Sequence, residues 1–532
     1  MKYPIGIQSF EQLIEDGYVY VDKTALIYNL VTTGKIYFLC RPRRFGKSLL
    51  VSTLKNYFLG RKELFRNLAI GKLETKWLEY PVFHIDFNGN NFTEAGTLER
   101  KIEGYVSTWE DTYGKDARWQ NLGDRFAHVL KQAHAQCGRR CVVLIDEYDK
   151  PILDVLDTDL KVNDDTQEVL IEDHNREILK GFYSVFKAAD EDLQFVLLTG
   201  VTKFSQVSVF SGFNQPADIS MDSRYEAICG ITQQELEQHF AQPIQELADV
   251  NGTSTEEMIN MLKLQYDGYH FSKRMTDIYN PFSLLNAFAS GSLRDFWFSS
   301  GTPTYLIRLM SHTDENLDEM TGRYYDPQEF IDYKASVEKP LPMIYQSGYL
   351  TIKDYKPRRG TFLLDFPNNE VKKGFVSLVA ADYLKPRQES VNGWIQDVID
   401  ALEDGDTEML RKLFTSFLAD IPYSMRRKED ERERERYFHY TFYLIFRLVS
   451  VYTVYTEKQQ SEGRVDCIVE TPDHVYIFEF KLDGSADEAL QQIEERGYAR
   501  PYVADHRCLH KVGAVFSSQT GTISDWKEIV SM

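Results

Sequence analysis

The chain has 532 residues, 43% of them hydrophobic and 27% charged, and carries a formal net charge of −20. That length exceeds what one hydrophobic core supports, so about three domains are expected. The acidic total excludes a surface coated throughout with nucleic-acid-binding charge, while leaving room for a local basic groove.

In chain order, the N-terminal stretch "MKYPIGIQSFEQLIEDG" lacks the basic start and apolar core of a secretory signal. The first third then alternates apolar runs with helical segments, the pattern of a parallel sheet with crossover helices. Residues 35–40 ("KIYFLC") predict a strand and 48–60 a helix ending at Gly60. Residues 80–87, 141–149 and 193–201 predict three more strands. The unbroken apolar run "CVVLI" is that of a strand buried on both faces. The six cysteines are scattered, so no disulfide framework is expected. Cys137 and Cys141 flank "GRR" without further ligands nearby, so they read as plain thiols.

From about residue 232 the pattern turns helical, with Thr232 and Glu235 at capping-box spacing, and it continues to about 290. Residues 328–385 mix helix with two short strands around "KPRRG", a hairpin behind a helix that is compatible with a winged-helix module. Such modules contact DNA or protein. Residues 426–436 ("RRKEDERERER") set opposite charges three apart, as on a solvated helix. The longest apolar stretch, 442–455, is too short to span a bilayer and contains Arg447. No membrane partner is expected, and a reducing cytoplasm is the simplest location. An α/β-patterned region runs on to residue 532.

Two constellations carry chemistry. The first is "RPRRFGKSLL", at the junction of the first strand and its helix. A phosphate-binding loop aims backbone N–H groups and a helix N-terminus at phosphate oxygens, and its lysine and hydroxyl reach the terminal phosphates and Mg²⁺. Gly46, Lys47 and Ser48 have that setting, within a candidate nucleotide loop Arg43, Arg44, Phe45, Gly46, Lys47, Ser48 and Leu49. Arg41 stands where the first glycine is expected. It would be strained if that position needs positive φ, so a different turn, helped by Pro42, is expected. Arg43 and Arg44 either add charge near the phosphates or face solvent. Asp146 and Glu147 end the buried strand; in P-loop ATPases such acids hold Mg²⁺ and orient the attacking water. The alternative is a strand running out to solvent. Thr199, ending "FVLLT", is either a sensor of the terminal phosphate or an ordinary strand-end threonine.

The segments "YPIGIQSFEQLIEDGYVYVDKT", "RPRRFGKSLL", "VLIDEYDKPI", "LTGVTKFS", "YDGYHF" and "YNPFS" together resemble the AAA-ATPase-like proteins that carry a C-terminal PD-(D/E)xK nuclease-type domain. The resemblance spans roughly residues 3 to 285. It implies ATP binding, and the Arg-rich loop is the family's usual form. Asp22, Lys23 and Thr24 match its N-terminal segment without a mechanism evident from sequence.

The second constellation lies in "EGRVDCIVETPDHVYIFEFKL". Asp466 sits in a β-like stretch, "TPDH" turns, and Glu479 and Lys481 share one face of the next strand because side chains alternate. An antiparallel hairpin would bring Asp466 beside Glu479. Two carboxylates with a lysine suit metal-assisted phosphodiester hydrolysis: the acids hold Mg²⁺ and the lysine positions or activates water. This is the PD-(D/E)xK pattern; a surface ladder of charges is the plainer alternative. The resemblance adds Gln492 on the following helix and a further acid on the preceding one, for which Glu435 matches best, with Glu431 and Glu433 near enough to leave the register open. His439 and His474 read as structural.

The expected fold is α/β: a P-loop ATPase parallel sheet, a helical lid, a winged-helix-like region and a C-terminal α/β restriction-endonuclease-like domain. The expected divisions are 1–230, 231–300, 301–390, a helical linker 391–425, and 426–532. The expected function is an ATPase coupled to a Mg²⁺-dependent nuclease acting on nucleic acid, DNA foremost. The alternative is an ATP-dependent regulatory switch whose C-terminal domain binds without cleaving. A homo-oligomer is compatible with either.

Overall fold

The apolar runs of the first third assemble as a parallel sheet because each is separated from the next by a helix long enough to cross over. A computed structural model of the chain describes residues 1–164, 167–203, 216–299, 320–331, 340–375, 391–419, 453–460, 463–502 and 505–531. They form two units, Met1–Lys372 and Lys373–Met532. The segments expected as ATPase and lid therefore share one unit with the described part of the winged-helix-like segment up to Lys372.

In the first unit, β1 is Ile36–Cys40, β2 Val82–Asp86, β3 Cys141–Asp146, β4 Lys161–Asp164, β5 Gln167–Leu170, β6 Leu193–Gly200 and β7 Ala217–Asp218. One sheet runs in the order β2-β3-β6-β1-β7, and all its pairs are parallel. β4 and β5 form a separate hairpin. Every residue of β3 is buried, as its continuous apolar run requires. The register sets Leu39 opposite Thr199, and Ile145 opposite Leu198, so Leu39, Thr199 and Asp146 fall in one row at the carboxyl ends of their strands. In open parallel sheets the carboxyl edge is where ligands bind.

Thr232 and Glu235 form the expected capping box at the start of the helix Gln233–Asn251. Pro243 lies inside that helix and Phe240 has φ −123°, a kink that follows from the missing proline N–H. Helices Thr255–Tyr266 and Pro281–Ser290 pack with it around Leu236, Phe240, Leu262 and Leu284. Two short strands, β8 Ile231–Thr232 and β9 Ile278–Tyr279, pair antiparallel at its base. Next come β10 Arg323–Tyr325, β11 Thr351–Lys356 and β12 Thr361–Asp365, in the order β10-β12-β11. The expected hairpin around "KPRRG" is present, behind the helix Leu341–Gln346.

The second unit opens with helices Val391–Glu403 and Thr407–Ala419. Its sheet runs in sequence order through β13 Thr453–Gln460, β14 Gly463–Glu470, β15 His474–Leu482, β16 Cys508–Phe516 and β17 Ile523–Ser531. Only β15 and β16 are parallel, joined through the helix Ala486–Glu495. Alternation divides the sheet into two cores. Tyr476, Phe478, Phe480, Val512 and Ala514 pack with Leu402, Leu410 and Phe414. Val475 and Ile477 pack with Ile493 and Tyr498. The charged stretch 426–436, with Glu435, and the following apolar run, with His439, lie outside the described residues.

Candidate functional sites

The turn from β1 into the helix Lys47–Phe58 is built on Gly46, the N-cap residue, at φ 93° and ψ 23°. Only glycine occupies that region at little cost. Arg44 is also left-handed, at φ 69°. Arg41 is not among the positive-φ residues, so the strain considered for it is absent and the special geometry falls on Arg44 and Gly46 instead. The Arg41 side chain is 1% exposed. Its Nη1 donates to the carbonyls of Cys40 and Ser220 (2.9 and 2.8 Å), and Nη2 to those of Tyr225 and Glu226 (both 3.3 Å). The guanidinium also sits 4.1 Å from the centroid of the Phe271 ring. Arg41 thus clips the loop to residues 220–226 rather than facing outward.

Phe45 is buried against Tyr269 and Phe271, with centroids 4.8 and 5.5 Å away, so its backbone N–H is what it can offer a ligand. Arg43 and Arg44 are exposed, the latter with its guanidinium 4.8 Å from the Phe282 ring centroid. Ser48 and Leu49 are half-buried in the helix's first turn. Lys47 is buried, and its Nζ donates to the carbonyls of Arg41 and Pro42 at 2.9 and 3.0 Å. The ammonium is folded back across the turn, where it holds the loop closed on itself.

Asp146 is 2% exposed, and its Oδ1 accepts a hydrogen bond from the Thr199 hydroxyl at 2.5 Å. The β3–β6 register produces that contact. Glu147 follows at φ 50°, a turn out of the strand that is uncommon for glutamate. Burial raises its carboxyl pKa; Lys47 opposes the rise, and Asp146 and Asp149 add to it. The Asn88 side chain lies beside Glu147 and slightly offsets the rise. Asp149 instead ties "DEYD" to "TGVT". Its Oδ2 accepts from the N–H groups of Val201 and Thr202 and from the Thr202 hydroxyl, at 2.9, 2.6 and 2.9 Å. Sequence reasoning missed Asn88 and Asp149. Their signal was position, just beyond the carboxyl ends of β2 and β3.

The Asp22-Lys23-Thr24 motif now has a mechanism. Asp22 accepts from the Thr24 N–H and hydroxyl at 2.8 and 2.6 Å and from the Ala69 N–H at 2.7 Å. Lys23 pairs with Glu235 at 2.6 Å, the same glutamate that caps the helix Gln233–Asn251. These bonds hold the N-terminal segment beside a cavity of about 100 Å³ lined by Tyr20, Lys23, Gly46, Leu49, Cys229 and Leu285. The cavity adjoins the loop, on its apolar side.

In the second unit, Cys467 pairs with Phe478, which sets Asp466 opposite Glu479 as the expected hairpin requires. Asp466 Oδ2 accepts from the Phe480 N–H at 2.8 Å. Glu479 is 1% exposed. Its Oε1 accepts from Lys481 Nζ at 3.2 Å and from the Gln492 amide, while its Oε2 is buried with no hydrogen-bond partner. Lys481 Nζ also donates to Gln492 Oε1 at 2.6 Å. Burial, then the charge of Asp466, drives the Glu479 pKa well above the usual carboxylate range. Gln492 reaches this cluster because the helix Ala486–Glu495 packs close on β16. A Cβ on Gly513, the residue paired with Glu479, would lie 2.4 Å from the Ala486 carbonyl oxygen. The structure thus brings Asp466, Glu479, Lys481 and Gln492 together. An orphaned buried carboxylate oxygen beside a second carboxylate is the donor set of a hard cation such as Mg²⁺.

Residues 4–210 match a family described as "Predicted AAA-ATPase", and residues 433–526 match the PD-(D/E)XK nuclease superfamily. The chain is also 36% identical over 530 residues to an Azotobacter chroococcum mcd 1 protein described as "Uncharacterized protein in vnfD 5'region", covering 98% of both chains.

Proposed function

Because the chain belongs to the family that joins an AAA-ATPase-like domain to a PD-(D/E)XK nuclease superfamily domain, we propose that it binds and hydrolyses ATP and uses that cycle to control cleavage of nucleic acid, DNA foremost. The observation that carries the nuclease half is the Glu479 carboxylate oxygen, buried without a partner opposite Asp466. Uncompensated, such a group is costly; a bound cation removes the cost.

Each residue has a role that its surroundings support. The N–H groups of residues 43–49 and the helix N-terminus bind phosphate oxygens. Lys47 exchanges two loop carbonyls for the terminal phosphates. Arg43 and Arg44 add positive charge at the exposed side of the turn. Ser48 and Asp146 would hold Mg²⁺ here, with Thr199 orienting Asp146. Glu147, beside Asn88, orients the attacking water and takes its proton; its raised pKa suits that role. The cavity beside Leu49 takes the apolar face of the nucleobase. At the second centre Asp466 and Glu479 would hold Mg²⁺, Lys481 positions the water that attacks the phosphodiester, and Gln492 holds Lys481 and Glu479 in register. Glu435, or its neighbours Glu431 and Glu433, would supply the further acid at this centre. At both centres Mg²⁺ supplies positive charge against phosphate oxygens.

Residues 231–300 act as the lid over the nucleotide and 301–390 as the winged-helix-like element, with 391–425 leading into the nuclease domain. Among the described residues no helix is long and apolar enough to cross a membrane. ATPase and nuclease activities measured side by side on the full chain test the proposal. Wild type should show both, Lys47→Ala should lose at least tenfold in ATP turnover, and Asp466→Ala should abolish cleavage while retaining ATP turnover. If wild type cuts DNA no faster than Asp466→Ala, the C-terminal domain binds without cleaving and the protein is an ATP-dependent switch.

A further inference from the structure

The C-terminal sheet carries a second polar cluster, at the start of β15 and β16. It lies five positions before Glu479 on β15, and so on the opposite face of the sheet. The parallel register pairs His474 with Cys508 and Tyr476 with His510. Nδ1 of His474 lies 2.8 Å from Nε2 of His510. One ligand atom from each of His474, Cys508 and His510 lies within 4.8 Å of the other two.

The surroundings fix both rings. Nδ1 of His510 lies 2.5 Å from Glu528 Oε1, and the Thr407 hydroxyl donates to Glu528 Oε2 at 2.6 Å. Tyr476 stacks on His510 with centroids 4.5 Å apart and planes at 18°. Close by, Gly405 admits the His474 ring: a Cβ there would lie 2.8 Å from its Cε1.

These partners leave the facing nitrogens with a specific electronic problem. A neutral imidazole has one N–H. In His510 it serves the Glu528 carboxylate, so Nε2 turns its lone pair towards His474 Nδ1. The His474 Nδ1 proton can fill that gap as an N–H···N hydrogen bond, and so can a metal ion. A metal ion does it better here, because a thiol stands in reach as a third donor and because a carboxylate behind a histidine is the usual support of a metal-bound imidazole.

We propose that His474, Cys508 and His510 form a binding site for Zn²⁺ or a closely similar borderline divalent cation, which pins the start of β15 and β16 and, through the ligand supports, β17 and the 403–407 turn. Imidazole and thiolate select such ions, whereas the carboxylates at Asp466 and Glu479 select Mg²⁺, so the two faces of one sheet discriminate between metals by donor type. Tetrahedral Zn²⁺, at about 2.1 Å from nitrogen and about 2.3 Å from sulfur, sets two ligand nitrogens about 3.4 Å apart. The rings need open by about half an ångström from their present spacing, and the thiol, now within 4.8 Å of both nitrogens, closes to about 3.6 Å. Water completes the coordination.

The test uses the full chain and the metals alone. Apoprotein titrated with Co²⁺ should develop a thiolate-to-cobalt charge-transfer absorption in the near ultraviolet, which Zn²⁺ displaces at one equivalent. Cys508→Ser should lose that absorption, and His474→Gln should bind Co²⁺ at least tenfold more weakly. Circular dichroism of both variants verifies their fold. Zn²⁺ should raise the thermal unfolding midpoint of wild type and leave that of Cys508→Ser unchanged. The proposal falls if wild type shows no thiolate band, if Cys508→Ser retains it, or if Zn²⁺ shifts both midpoints equally.

Discussion

Gly46 has φ 93° and open space where a Cβ would go, so a substitution there is opposed by backbone conformation alone. Forcing an L-residue into that region costs about 1–2 kcal/mol. The loop must hold the same conformation to bind phosphate, so Gly46→Ala is expected to weaken ATP binding by about tenfold, measured with a fluorescent nucleotide. Arg41 differs in kind: it is a buried cation whose partners are four carbonyls, with Nε lacking any acceptor. Its charge lies inside the fold, which is why a basic motif need not mean a basic surface. Glu479 carries a pH signature. Its native pKa is raised above the ordinary 4.5, so the native state holds more protons than the unfolded one above that pH. Stability from the neutral buried carboxyl is therefore full below the ordinary value and lost as pH rises towards the native one. Without added cation, Glu479→Gln should flatten stability between roughly pH 5 and pH 8, as read by denaturant unfolding, while wild type declines across that range.

Among elements, the helix Ala486–Glu495 is the one whose placement the nuclease-type centre depends on. It starts with a capping box from Ser485 and Glu488, and the Asp525 carboxylate accepts from the Ala486 N–H at 3.0 Å. Gly513 lets it press on β16. Gly513→Ala forces a Cβ against backbone, so the helix must move outward and carry Gln492 with it. The expected result is a drop in Mg²⁺-dependent cleavage of about tenfold or more, with ATP turnover unchanged; a merely destabilised domain would instead recover full activity on cooling. In the first unit, Lys23 and Glu235 do comparable positioning work, joining segments far apart in the chain through a largely buried ion pair.

For the whole molecule, the net charge of −20 sets the terms of any encounter with a polyanion. On the proposed reading, Asp466 adds local repulsion where the phosphodiester sits, and Glu479 joins it once a bound cation ionises its raised-pKa carboxyl. Mg²⁺ should therefore raise DNA affinity by at least tenfold in wild type, and removing it with a chelator should reverse the gain. Asp466→Ala should bind DNA with little response to Mg²⁺, measured by fluorescence anisotropy at constant ionic strength.

How much was legible follows from the range over which each signal acts. The strand, turn and helix around Lys47, the buried run ending at Asp146, and the alternation placing Glu479 and Lys481 on one face are local patterns. Periodicity and turn chemistry within a dozen or so residues specify them, so composition and order alone determined the α/β class, the strand–turn–helix at Gly46 and Lys47, and the Asp466–Glu479 hairpin. Tertiary structure decided what lies between distant residues. Arg41 turned inward to residues 220–226, Lys23 found Glu235, and Gly513 let Gln492 reach Glu479. His474, read from its neighbours as structural, met Cys508 and His510 only when β15 and β16 aligned in parallel. Local preferences are written in the spacing of side chains, whereas partnerships across a sheet depend on register and packing, and a linear pattern does not contain those.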